Sequence, residues 1–143
     1  MGVLLDARVA SAVTTARVRW LLWIVVIVAI VVPWRDFQNH THWSKVVWIP
    51  FVSRPWRMSD AIANVLLYLP FGYWYARQSR RHGAIWLAMG LAAVLSLSTE
   101  YAQLYSHYRF PSLTDVTCNL LGAYAGLHVA NWRHRNARLP VRP

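Results

Sequence analysis

An all-α fold, a four-helix transmembrane bundle with both termini cytoplasmic, is predicted by three observations. The chain is 57% hydrophobic, with nine Trp against five Asp plus Glu in 143 residues, too little charge for a soluble domain of that length. Apolar stretches recur four times between charged residues. The basic residues divide unequally between alternate connections.

The first stretch, Trp20–Trp34, lengthens backwards through Ala10–Val18 because Arg17 and Arg19 can snorkel to the interface, reaching the roughly 20 residues that a bilayer core of about 30 Å requires. Pro33-Trp34-Arg35-Asp36 follows it and not a small-x-small cleavage site, so a retained anchor is expected and not a signal peptide. Residues 35–59 are Trp-rich, with Trp43, Trp48 and Trp56 among Arg, Lys and Pro. They are expected to lie on the membrane surface or fold over the bundle mouth, anchoring there or stacking on a ligand. The second stretch, Ala61–Ala76, begins at Asp60 when extended. Pro70 removes the bond to the Leu66 carbonyl and bends it, and Gly72 allows close approach. The third, Gly83–Thr99, runs to about Tyr105 if it carries Glu100, and the fourth, Val116–Trp132, presents Gly122-x-x-x-Gly126 for a tight crossing. The chain divides into an anchor and outer segment (1–57), a transmembrane core (58–132) and a basic cytoplasmic tail (133–143).

Ten basic residues (Arg8, Arg17, Arg19, Arg77, Arg80, Arg81, Arg133, Arg135, Arg138 and Arg142) fall on the side of the termini, and five (Arg35, Lys45, Arg54, Arg57 and Arg109) on the other. The positive-inside rule makes the first side cytoplasmic, in a multi-pass protein of the inner (cytoplasmic) membrane. Trp34, Tyr101, Tyr105 and Tyr108 form an outer aromatic belt on this reading, with Trp20, Trp74, Trp86 and Trp132 an inner one.

Three acids then reach one depth near the outer surface, each with an amide on its helical face: Asp60 with Asn64, Glu100 with Gln103, Asp115 with Asn119. Asn64 and Asn119 fall roughly 6 Å below their acids, as the floor of the site, and Glu100 roughly 7 Å below the end of its helix. Carboxylates are costly in hydrocarbon, so three such pairs point to a polar site. Two have structural explanations: Ser112-x-x-Asp115 resembles a capping box, and Asp60 follows Ser59 in a first turn. Glu100, near a helix C-terminus where the dipole opposes its charge, has none and needs a cation or a proton. Arg109 is the nearest candidate cation, with Arg54 and Arg57 as others. The amides also suit interhelical hydrogen bonding, and Ser96 either bonds to its own backbone or lines the site. Asp60-x-x-x-Asn64-x-Leu66 is echoed by Asp115-x-x-x-Asn119-x-Leu121, as in parallel repeats.

A net charge of +10 is scattered over loops and tails without one basic helical face, which argues against nucleic acid. Cys118 is the only cysteine, and the six histidines lack a metal-ligand spacing, so no disulfide, metal or cofactor is expected. No G-x-S-x-G, P-loop or Cys–His pair suggests a nucleophile.

Asp60-x-x-x-Asn64, Leu69-Pro70-Phe71-Gly72, Ser96-x-x-x-Glu100-x-x-Gln103, Arg109, Asp115-x-x-x-Asn119 and Gly122-x-x-x-Gly126, in this order over about residues 58–128, resemble the VanZ-like family of small bacterial membrane proteins. Thr117 and Cys118 stand where such proteins commonly carry aliphatic residues. The resemblance implies a four-helix membrane domain tied to the cell envelope. The family's founder is associated with resistance to teicoplanin-type glycopeptide antibiotics, but the family implies no settled activity.

The leading expectation is a non-enzymatic envelope protein whose outward polar pocket, built from Glu100, Arg109, Asp60, Asp115, Asn64, Asn119 and Gln103, binds the head group of an amphiphile. Membrane lipids and either a lipid-linked cell-wall precursor or a lipoglycopeptide-like ligand are the expected partners, and the sequence leaves protein partners open. An alternative is an intramembrane hydrolase or transferase in which three carboxylates hold Mg²⁺ or Ca²⁺. A third is a structural subunit in which the polar set only joins helices.

Overall fold

The computed structural model describes residues 2–52, 57–79 and 83–136, with side chains from Ala10 onward except that of His134. Arg54, Trp56, Arg80, Arg81, Arg138 and Arg142 lie outside the described residues, as does the tail beyond Asn136. The fold is all-α: α1 (Gly2–Val31), α2 (Met58–Gln78), α3 (Ala84–Gln103) and α4 (Leu113–Asn136), with a short 3-10 turn at Trp43–Lys45. Ala10–Val31 and Ala84–Gln103 are long and apolar enough to cross a membrane.

Glycine sets the tightest seam. A Cβ on Gly122 would run into the Val65 carbonyl, one on Gly126 into that of Leu69, and one on Gly72 into that of Ala123. Steps of four on both helices make α2 and α4 parallel, with their backbones in contact. α1 covers the other side of α2, where Trp20 packs on Phe71 and Tyr75 at ring distances of 5.5 Å in both cases. Trp20 was expected in the inner aromatic belt. It turns into the bundle instead, and its indole N–H is buried with no hydrogen-bond partner among the described residues, whereas Trp86 and Trp132 are exposed.

Pro70 lies inside α2 and leaves the preceding turn short of a donor. Trp23 of α1 donates its indole N–H to the Leu67 carbonyl at 2.7 Å, so a carbonyl of the loosened turn is satisfied from a neighbouring helix. Large apolar side chains such as Leu22, Val25, Leu87, Val94 and Leu121 remain exposed on the outside of the bundle.

The segment after α1 folds over the ends of α3 and α4. Gln38 N–H donates to Tyr105 O (2.7 Å), His42 N–H to Leu104 O (2.9 Å) and Val47 N–H to Pro111 O (2.8 Å), while Leu113 N–H returns a bond to Val47 O (3.1 Å). Trp43 and Trp48 project from this cover and are exposed.

Candidate functional site

The C-terminal ends of α1 and α3 and the N-terminal ends of α2 and α4 meet at one end of the bundle, around a cavity of about 310 Å³. Asp60, Asn64, Glu100, Gln103, Arg109 and Asp115 line it, with Ile30 and Val31 of α1 on the apolar side. Six of the seven residues expected at the site therefore meet. Asn64 faces the Asp115 carboxylate across the α2–α4 junction. Gln103 is 6% exposed and, among the described residues, its side chain has no hydrogen-bond partner except what the cavity admits. Arg57 is exposed and does not line the cavity.

Asn119 is the exception. It was expected at the floor, but it lies on the face of α4 toward α3, 2% exposed, and donates its Nδ2 to Ser96 Oγ at 2.9 Å. Its Oδ1 is buried and, among the described residues, without a hydrogen-bond partner. The buried Tyr68 hydroxyl lies beside the hydroxyls of Thr99 and Ser96, and Thr99 itself bonds back to the Ser96 carbonyl at 2.8 Å. Ser96, Thr99, Asn119 and Tyr68 thus form a second polar cluster within the bundle, separate from the cavity. Tyr68 was not expected there. Its position one turn after Asn64 on the same face of α2 was the available signal.

Glu100 takes on the capping bond that Asp115 could have made, while both acids line the cavity. Ser112 does cap α4, accepting Thr114 N–H on its Oγ at 3.0 Å. The reciprocal bond, expected from Asp115, comes from α3: Glu100 Oε2 accepts Ser112 N–H at 2.8 Å. Glu100 is the acid for which the sequence offered no structural explanation, yet it sits at the N-terminus of α4, where unpaired N–H groups and the dipole favour a carboxylate. Asp115 is thereby left to the cavity. Asp60 is exposed at the rim and accepts a bond from Ser59 Oγ at 3.1 Å.

Asp36, in the outer segment, was not expected to matter. Its Oδ2 accepts from Ser106 Oγ (2.5 Å), His107 N–H (3.0 Å) and Tyr108 N–H (3.4 Å), pinning the cover to the turn before α4. The Ser106 hydroxyl, outweighing the opposing desolvation, and after it the Tyr108 N–H, Gln38 and the His107 N–H hold its carboxyl below the usual aspartate value.

Acceptors dominate the cavity wall, with one guanidinium among them, an arrangement suited to binding a polar group by charge-assisted hydrogen bonds. The carboxylates do not converge further: among the described residues no group of three His, Cys, Asp or Glu side chains is placed to hold a metal ion.

The profile of the VanZ/LLP1 family matches residues 13–134, taking in most of α1 and the outer segment as well as the motif-bearing stretch. No curated protein and no solved structure matches the chain.

Proposed function

Because the chain belongs to the VanZ/LLP1 family, we propose that it is a multi-pass envelope membrane protein whose outward cavity binds the polar head of an amphiphile, without catalysing a reaction on it. One observation carries this reading: a single cavity gathers Asp60, Asn64, Glu100, Gln103, Arg109 and Asp115 beside the apolar Ile30 and Val31, the mixed lining that an amphiphile needs. The excess of basic residues flanking the opposite ends of the helices supports the outward orientation, with both termini cytoplasmic. A lipid-linked cell-wall precursor or a teicoplanin-like lipoglycopeptide has the required chemistry, and protection against such antibiotics would follow from binding either one.

Glu100→Gln tests the reading. The amide oxygen still accepts the Ser112 N–H, so the cap and the fold persist, while the carboxyl group in the cavity is replaced by an amide. The expected outcome is a normal membrane level with lost protection against glycopeptides or other envelope-targeting compounds. A normal level with full protection would defeat a ligand-binding role for Glu100 and leave it as a helix cap.

A further inference from the structure

A second cavity, of about 350 Å³, adjoins the first and shares Arg109 with it. Its other lining groups include Arg35 and the rings of Trp34 and Tyr108, at the end of α1 and in the turn before α4. Both guanidiniums are exposed, and neither has a hydrogen-bond or ion-pair partner among the described residues. Asp36 also lines this cavity, but its Oδ2 is occupied by the three donors from Ser106, His107 and Tyr108. Within this second cavity the two arginines meet one carboxylate, already committed, while Arg109 also acts on Glu100 and Asp115 across the first.

Donors and acceptors are therefore sorted between the two spaces. On one side of Arg109 lie three carboxylates and the buried, unpartnered amide of Gln103. On the other lies a second guanidinium. A phosphate only accepts hydrogen bonds and suits paired guanidiniums, whereas an ammonium only donates and suits carboxylate and amide oxygens. A purely anionic head group would fill the arginine side and face the carboxylates. A purely cationic one would leave both arginines unused.

Resting on the reading of the first cavity as a head-group site, we propose that the ligand's head group is zwitterionic: an ammonium joined by a short linker to a phosphate, as in phosphoethanolamine. The ammonium enters among Asp60, Glu100 and Asp115, and the phosphate sits between Arg35 and Arg109.

Native mass spectrometry of the purified full-length chain tests this, using phosphatidylethanolamine and phosphatidylglycerol with identical acyl chains. The amine lipid should be retained about tenfold better. Asp115→Asn should bring its retention down to that of phosphatidylglycerol without altering the latter, and Arg35→Gln should weaken both. If Asp115→Asn fails to fold, the exposed Asp60→Asn takes its place with the same expectation. Soluble phosphoethanolamine that displaces the lipid would support a head group recognised from either source. Failure to displace it, with the lipid still selected, would support the same head group drawn from the membrane. Equal retention of both lipids, or equal loss of both in Asp115→Asn, would overturn the zwitterion while leaving an amphiphile site intact. Retention of neither lipid above a membrane protein of unrelated sequence would overturn both readings.

Discussion

Asp60-x-x-x-Asn64-x-Leu66 of α2 and Asp115-x-x-x-Asn119-x-Leu121 of α4 share spacing and direction, and they end in different surroundings. The leucines keep the correspondence: Leu66 and Leu121 are 60% and 53% exposed on the outside of the bundle. The amides do not. Asn64 lines the cavity beside Asp115, while Asn119 is enclosed between α3 and α4 on Ser96. Spacing along a helix fixes which residues share a face, but the neighbouring helix decides whether that face meets a cavity or a hydroxyl. α2 brings Asn64 toward the open end of α1, and α4 brings Asn119 against a buried stretch of α3.

The largest expected effect comes from breaking the seam that sets these two helices against each other. Gly122→Leu drives a side chain into the backbone of α2 at Val65, so it should cost roughly 3 kcal/mol or more and sharply lower the membrane level. Gly90→Ala, on α3 with nothing within 4 Å of an added Cβ, should be neutral or stabilising by about 0.5–1 kcal/mol. Quantitative immunoblotting of membranes with detergent melting curves compares them, and equal accumulation of the two variants would refute the close seam.

Exchanging the two amides for leucine sharpens the contrast directly. Asn119→Leu removes one hydrogen bond together with an acceptor already lacking a partner, so stability should change by less than about 1 kcal/mol and ligand retention should stay as in the native chain. Asn64→Leu should fold equally well and weaken retention about tenfold or more, because it removes a polar wall from the cavity. Lipid retention by mass spectrometry reads both, and a larger loss in Asn119→Leu would reverse the assignment.

The smallest effect concerns the cover over the α4 end. Asp36 has a lowered value in the folded chain, so its contribution is fully present above the ordinary aspartate value and is lost as pH falls through the folded one. Amide exchange at His107 and Tyr108, corrected for its intrinsic pH dependence, should rise in that acidic window in the native chain. In Asp36→Asn it should be higher already at neutral pH and lose most of that dependence. Identical profiles in the two proteins would remove Asp36 as the anchor.

Much of the site was legible because apolar segments isolate their polar residues. Asp60, Asn64, Glu100, Gln103, Asp115 and Arg109 stood out against hydrocarbon composition, and alternation of four helices brought their ends together. Helix period also found the glycines of the seam. Trp20 was less legible, since an aromatic near a span end suits the interface and the bundle interior equally well, and Tyr68, midway along α2, offered only its place one turn after Asn64.

Sequence by itself determined the four helices, their order, the glycine face and the end of the bundle at which the three acids gather, because these follow from local apolar content and the fixed rise of a helix. Only the tertiary structure decided that Glu100 caps α4 as well as lining the cavity beside Asp115, that Asn119 pairs with Ser96, and that Asp36 ties the cover to the turn at Ser106. Each of these is a contact between residues distant in the chain. Such a contact is set by how helices rotate and cross, which local periodicity does not encode.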